Sequence, residues 1–232
     1  MNKEEGENMR VGMKIGLGFL VVILVLAVMG GVSFYSAGNI ADQVTGIQRA
    51  SQRVEVASSV DQAFTEGVMA IRGYMLYGKD NFAKQFNDKM DEAVKEAAAL
   101  LQVARPEKKA EVEKLIANIK KYKEDAQAKL LPAIQKSYQV KTSGAPDAAA
   151  AAAAAAMEDQ FTQIATTLVP IAEAIKKETS AQVAENRKTI TERLTESTNT
   201  VGTVKTTTII LSIIALLLVV GISFFLTRMI TK

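Results

Sequence analysis

Residues 157–175 read MEDQFTQIATTLVPIAEAI, and an apolar stripe runs through Met157, Phe161, Ile164, Leu168, Ile171 and Ile175. The steps between them are 4, 3, 4, 3 and 4 residues. That alternation keeps one face of an α-helix turned toward partner helices. The pattern resumes at Val183, Ile190, Leu194, Val201 and Val204, with no turn signal on the way. It then meets residues 206–227, TTTIILSIIALLLVVGISFFLT, which carry no charge. About 20 predominantly apolar residues cross a bilayer as a helix. One rod about 75 Å long, from residue 157 to 206, is therefore expected to run into a membrane span.

The other end of the chain mirrors this. Residues 15–35, IGLGFLVVILVLAVMGGVSFY, lie in the uncharged stretch between Lys14 and Asp42. The run is longer than the apolar core of a signal peptide, so it reads as an uncleaved anchor. No turn signal separates it from a first helix traced through Ile40, Val44, Ile47, Val54, Phe64, Val68, Ile71 and Met75. From residue 36 to 77 that helix would be about 60 Å long. Lys3, Arg10 and Lys14 precede the first span, and Arg228 and Lys232 follow the second. Basic residues in short flanks stay in the cytoplasm, which puts both ends there and the long middle segment outside.

Two more helices complete the middle segment. One follows Phe82, Phe86, Met90, Ala93, Ala97 and Leu100. The next follows Val112, Leu115, Ile119, Tyr122, Ala126, Leu130, Ile134 and Tyr138. Gly78 suits a helix end and Asp80 an N-cap. Pro106, after Arg105, suits a first helical turn, and residues 142–147 (TSGAPD) form the third connection. Pro132 and Pro170 fall inside helical patterns and predict kinks. The nine alanines of residues 148–156 follow Asp147 and read as the exposed first turns of the last helix. Short connections between four helices predict an all-α, antiparallel up-down-up-down four-helix bundle continuous with two transmembrane helices. The expected layout is a cytoplasmic tail at 1–14, spans at 15–35 and 207–227, an extracytoplasmic four-helix bundle at 36–206, and a cytoplasmic linker start at 228–232.

Composition narrows the chemistry. The chain of 232 residues has no Cys and no His, which removes thiolate chemistry and the commonest general base and metal ligand. Asp88, Asp91 and Glu92 have no loop geometry for a metal. No enzyme activity, cofactor or metal is expected. A net charge of +3 with no basic stretch interleaved with aromatics argues against a nucleic-acid partner. The charges at Glu92, Lys95, Glu96, Lys108, Lys109, Lys120 and Lys121 read as solvated faces. Arg49 and Arg53, one turn apart, read as a solvated or dimer-facing pair.

The order span, bundle, span resembles the sensing modules of methyl-accepting chemotaxis proteins. Residues 70–80, AIRGYMLYGKD, resemble the R-G-Y-L-L-T-G-D stretch of such four-helix-bundle sensors, with Tyr77 for Thr and Lys79 inserted. Residues 13–19, MKIGLGF, are similar to the start of many chemoreceptors, and residues 228–232, RMITK, to the entry of a HAMP linker. The resemblance implies a small-molecule ligand near the far end of the bundle, a homodimer in the bacterial inner membrane, and a cytoplasmic chemotaxis kinase reached through a C-terminal region beyond Lys232. It also implies an Arg on the first helix that meets a ligand carboxylate. Arg72 matches that role, and counting back from the second span brings Gln163, Thr166 and Thr167 to its height. A structural alternative pairs Arg72 with Glu66. Thr179, Asn186 and Ser197 interrupt the apolar seam of the last helix, which suggests weaker packing there and a helix able to shift. Other readings keep the sensor but give it a histidine-kinase or cyclase output, or make the chain a two-span coiled-coil stalk without a ligand.

Overall fold

The computed structural model describes residues 3–142 and 147–230. Among them the chain is helical, without a strand. Helix α1 (Lys3–Tyr77) runs unbroken for 75 residues, and α5 (Asp147–Ile230) for 84. Between them lie α2 (Asp80–Val103), α3 (Lys109–Asp125) and α4 (Leu131–Thr142). Residues Ser143, Gly144, Ala145 and Pro146 of the expected third connection lie outside the described residues.

The chain divides into two compact units, Gln48–Ile190 and Met1–Ile47 with Thr191–Lys232. The first is the bundle. One continuous core draws Ala57, Phe64 and Ile71 from α1, Phe86 and Met90 from α2, Ile119 and Tyr122 from α3, Ile134 from α4, and Ile164, Leu168 and Ile175 from α5. The pairs that cross between helices fix its topology. Glu66 meets Lys89, Asp91 meets Lys123, and Asp61 meets Thr179, so each contact joins an ascending helix to a descending one. Phe64 against Tyr122 and Met75 against Tyr138 show that α1 and the α3–α4 rod run in parallel. The bundle is thus antiparallel, up-down-up-down.

Sequence spacing explains the core, with one shift of register. On α1 the inward positions are Ala50, Ala57, Val60, Phe64, Gly67, Ile71 and Tyr74, a strict heptad alternation. Of the expected stripe, Phe64 and Ile71 are buried, whereas Val44 and Met75 are turned away, 44% and 40% exposed. Small residues hold the inward positions because α2 crosses close there: a Cβ on Gly67 would strike the Met90 side chain. The stripe on α5 holds from Phe161 to Ile175 and then continues inward through Thr179, Gln182 and Asn186, all buried. The expected resumption at Leu194 and Val201 is corrected, because both are exposed.

Breaks between helices follow local chemistry. Gly78 takes φ +64° and its N–H donates to the Tyr74 carbonyl at 2.9 Å, closing α1. A Cβ there would lie 2.5 Å from the Tyr138 ring, so backbone conformation and packing both require glycine. The expected N-cap at Asp80 is corrected: Lys79 takes the extended cap position and Asp80 is the first helical residue, beside the positive helix end. Pro106 opens a 3-10 turn (Pro106–Lys108) before α3, as its lack of an N–H allows. Pro132 acts differently from a simple kink. It cannot donate to the carbonyl of Ala128, and residues Ala126–Leu130 form a π turn joining α3 to α4. That turn absorbs the extra residue in the spacing of Tyr122, Ala126, Leu130 and Ile134 and keeps all four buried.

The second unit contains the two uncharged runs. Both α1 and α5 are long and apolar enough there to cross a membrane, and neither apolar stretch is buried within the protein. Gly18 admits Ile222 of α5, and Gly46 admits the Arg193 side chain, so the helices approach at both places.

Candidate ligand-binding site

Arg72 follows Ile71, whose side chain is in the core, and so stands at the edge of the inward face of α1. It lines an open cavity of about 400 Å³ in the bundle, whose rim includes the exposed Met69, Met75 and Val169. Helix α1 supplies Phe64, Thr65, Val68, Met69 and Met75 besides Arg72. Tyr122 and Leu130 close it from the α3–α4 rod. Helix α5 supplies Phe161, Leu168, Val169, Ala172, Glu173 and Lys176. Apolar walls with a few convergent polar groups are the usual form of a small-molecule site.

The polar groups are unequally satisfied. Among the described residues Arg72 makes no ion pair; Glu66, its expected alternative, is bound by Lys89 at 2.8 Å and by Gln62 at 2.9 Å. The Lys89 hydrogen bond holds the Glu66 carboxyl below its usual range, and Glu66 in turn raises the Lys89 ammonium. Thr65 Oγ1 is buried with no hydrogen-bond partner among the described residues. A buried hydroxyl left unbonded costs about 1–3 kcal/mol. Burial raises the Tyr122 phenol, and the charge of Arg72 draws it back down, which places the guanidinium within electrostatic reach of that ring.

The other sequence-derived candidates stand elsewhere. Gln163, Thr166 and Thr167 are exposed on α5. The two threonine hydroxyls donate to the carbonyls of Thr162 and Gln163, one turn back. None of the three lines the cavity, so the structure does not gather them with Arg72. Sequence reasoning missed Thr65, Glu173 and Lys176. They directly follow Phe64, Ala172 and Ile175 in sequence, which puts them at the edge of an inward face.

At the opposite end of the bundle the inward face is polar. Arg53 donates to the Val103 carbonyl at 3.1 Å and to Asn186 Oδ1 at 3.1 Å. Its expected solvent- or dimer-facing role is corrected, because residue 53 falls on the inward heptad position of α1. Thr179 donates to Asp61 at 3.0 Å, and Gln182 to Glu111 at 3.3 Å. Arg105 pairs with Glu185, and Lys108 reaches the same carboxylate at 3.1 Å. Lys108 is thus half-buried between helices rather than on a solvated face. Thr179 and Asn186 do interrupt the apolar seam, but they are bonded across it to α1; loose packing is not what they create.

The family model of the four-helix bundle sensory module for signal transduction matches residues 8–190. The chain belongs to this family, the sensory module of chemotaxis proteins. The matched stretch holds the first uncharged run and the whole bundle of the sensory module. Comparison with curated proteins and with solved structures finds no match.

Proposed function

We propose that this sensory module is the input region of a transmembrane chemoreceptor, anchored by residues 15–35 and 207–227 in the bacterial inner membrane with the bundle outside. The observation that carries this reading is that α1 and α5, the two helices with uncharged runs, also supply most of the cavity wall. A ligand held there touches both helices that lead to the membrane. It biases their relative position if it binds one packing state better than another. The ligand is a small molecule bound around Arg72, and its guanidinium suits a carboxylate. The module acts without catalysis, as a homodimer, and hands its signal to a chemotaxis kinase through cytoplasmic sequence after Lys232.

The hydrogen bonds of Arg53 with Asn186 and of Asp61 with Thr179 support a discrete response over a graded one. Each links α1 to α5 at a fixed height, so sliding must break and remake bonds. Topology tests the reading directly, since the chain has no native Cys. In intact cells a membrane-impermeant maleimide should label Ser180→Cys and spare Asn8→Cys. Labelling of Asn8→Cys with protection of Ser180→Cys would overturn it.

A further inference from the structure

The cavity behind Arg72 has a shape and a charge pattern that select among ligands. On α1 and α5, Arg53 faces Asn186 and Asp61 faces Thr179. Extending this antiparallel pairing puts Val68 opposite Ala172. Long side chains on a helix lean toward its N-terminus. Arg72 therefore leans down α1 toward Val68, and Lys176 leans along α5 toward Ala172, from opposite directions. Both residues line the cavity and stand on either side of the Val68–Ala172 level. The effect of Arg72 on the Tyr122 phenol fits this placement. Thr65 also lines this cavity.

From that level toward the Gly78 end the walls change character. Met69, Met75, Leu130, Phe161, Leu168 and Val169 offer no charge and no strong hydrogen-bonding side chain. Methionines adapt to irregular apolar shapes, and two of these six are methionines. Two cations and one carboxylate, Glu173, leave a net single positive charge among the lining residues.

We propose that the cavity binds a monocarboxylate with an apolar body, lying lengthwise within one bundle. Its carboxylate meets Arg72 and Lys176; its body fills the apolar end. Glu173 opposes a second carboxylate, and an α-ammonium would lie against two cations. This assignment rests on the ligand-sensing reading above and narrows its ligand class. It makes dicarboxylates and free amino acids poor ligands.

Calorimetry on the full chain in zwitterionic lipid nanodiscs tests it, with 4-phenylbutyrate as the probe and empty nanodiscs subtracted. Saturable binding of one molecule per chain is expected. 4-Phenylbutyramide should bind at least tenfold more weakly for want of the charge, and glutarate and phenylalanine should not compete. Arg72→Gln should weaken the acid at least tenfold and Arg72→Lys less, with the thermal transition unchanged. Ala172→Trp, which fills the cavity, should abolish binding. Val169→Trp is a second filling variant should the first fail to fold. Equal binding of acid and amide, stronger binding of glutarate or phenylalanine, or binding that survives a folded filling variant would overturn the proposal. No binding of 4-phenylbutyrate also overturns it, and the cysteine labelling pattern then reports separately whether the membrane-sensor reading stands.

Discussion

The two ends of the Gln48–Ile190 bundle are built on different physics. Toward Gly78 the interior is aromatic and aliphatic: Phe64 packs edge-on against Tyr122 with ring centroids 5.1 Å apart, and Phe86 approaches the same ring. Toward Arg105 the same heptad positions carry Arg53, Thr179, Gln182 and Asn186. Dispersion and hydrophobic burial are non-directional, so the apolar end tolerates small shifts and can enclose a cavity. Hydrogen bonds demand distance and angle, so the polar end is held in discrete registers. A sensor needs both a place where a ligand can fit between helices and a place where helix position is defined. The Gly78 half holds the cavity, and the Arg105 half holds the bonds that define helix position.

The sharpest way to break the comparison is to empty the apolar end. Phe64 is 0% exposed. Phe64→Ala should cost about 3–5 kcal/mol through lost burial and the cavity left behind. Denaturant unfolding of the full chain in detergent, followed by circular dichroism, measures it; a loss below about 1 kcal/mol would show that the Gly78 end is not the main source of stability.

A smaller effect is expected at the polar end. Asn186→Leu keeps the volume but leaves the Arg53 guanidinium without that acceptor. The loss should be about 2 kcal/mol, mostly the penalty of a partly buried donor left unbonded. Arg53→Met, Asn186→Leu together should recover part of it, because removing both partners removes that penalty. A double variant worse than the single would mean the pair is not coupled as described.

The smallest effect is a pH dependence confined to the apolar end. Burial raises the Tyr122 phenol in the folded protein. The folded state then keeps its proton where the unfolded chain loses it, so the stabilisation is complete below the unfolded value of about 10 and declines as pH rises above it. Tyr122→Phe should flatten part of the alkaline loss seen in thermal melts, without changing the neutral-to-acid side. The surface pair Glu66–Lys89 behaves oppositely at Glu66: its lowered carboxyl contributes above its unfolded value and the contribution is lost on acidification. An alkaline slope unchanged by Tyr122→Phe would assign that limb to the raised ammonium groups of Lys89 and Lys108.

Much of the fold was legible from spacing. The stripes of α2, α3 and the first half of α5 predicted the buried residues, because Phe, Met, Leu and Ile at inward positions announce themselves by hydropathy. The first helix was harder. Its inward face uses Ala50, Ala57 and Gly67, which hydropathy ranks low, while Val44 and Met75, expected inward with Phe64 and Ile71, are exposed. Arg53 was misread for the same reason: a charge at a heptad position looks like surface until its partners on two other helices are known. Arg72, proposed from the family resemblance and its place near the tip, lines the cavity; Gln163, Thr166 and Thr167, chosen for their height and their hydroxyl and amide groups, do not, because height does not say which way a side chain points.

By itself the sequence determined the class of protein: two uncharged runs, four periodic helices between them, and no residues for thiol or imidazole chemistry. Those properties are local, written in composition and in steps of three and four along one chain. The cavity, the unbonded hydroxyl of Thr65 and the bonds from Arg53 and Asp61 to α5 were decided only by tertiary structure. Each depends on the register between helices far apart in sequence, and no single helix's periodicity contains that register.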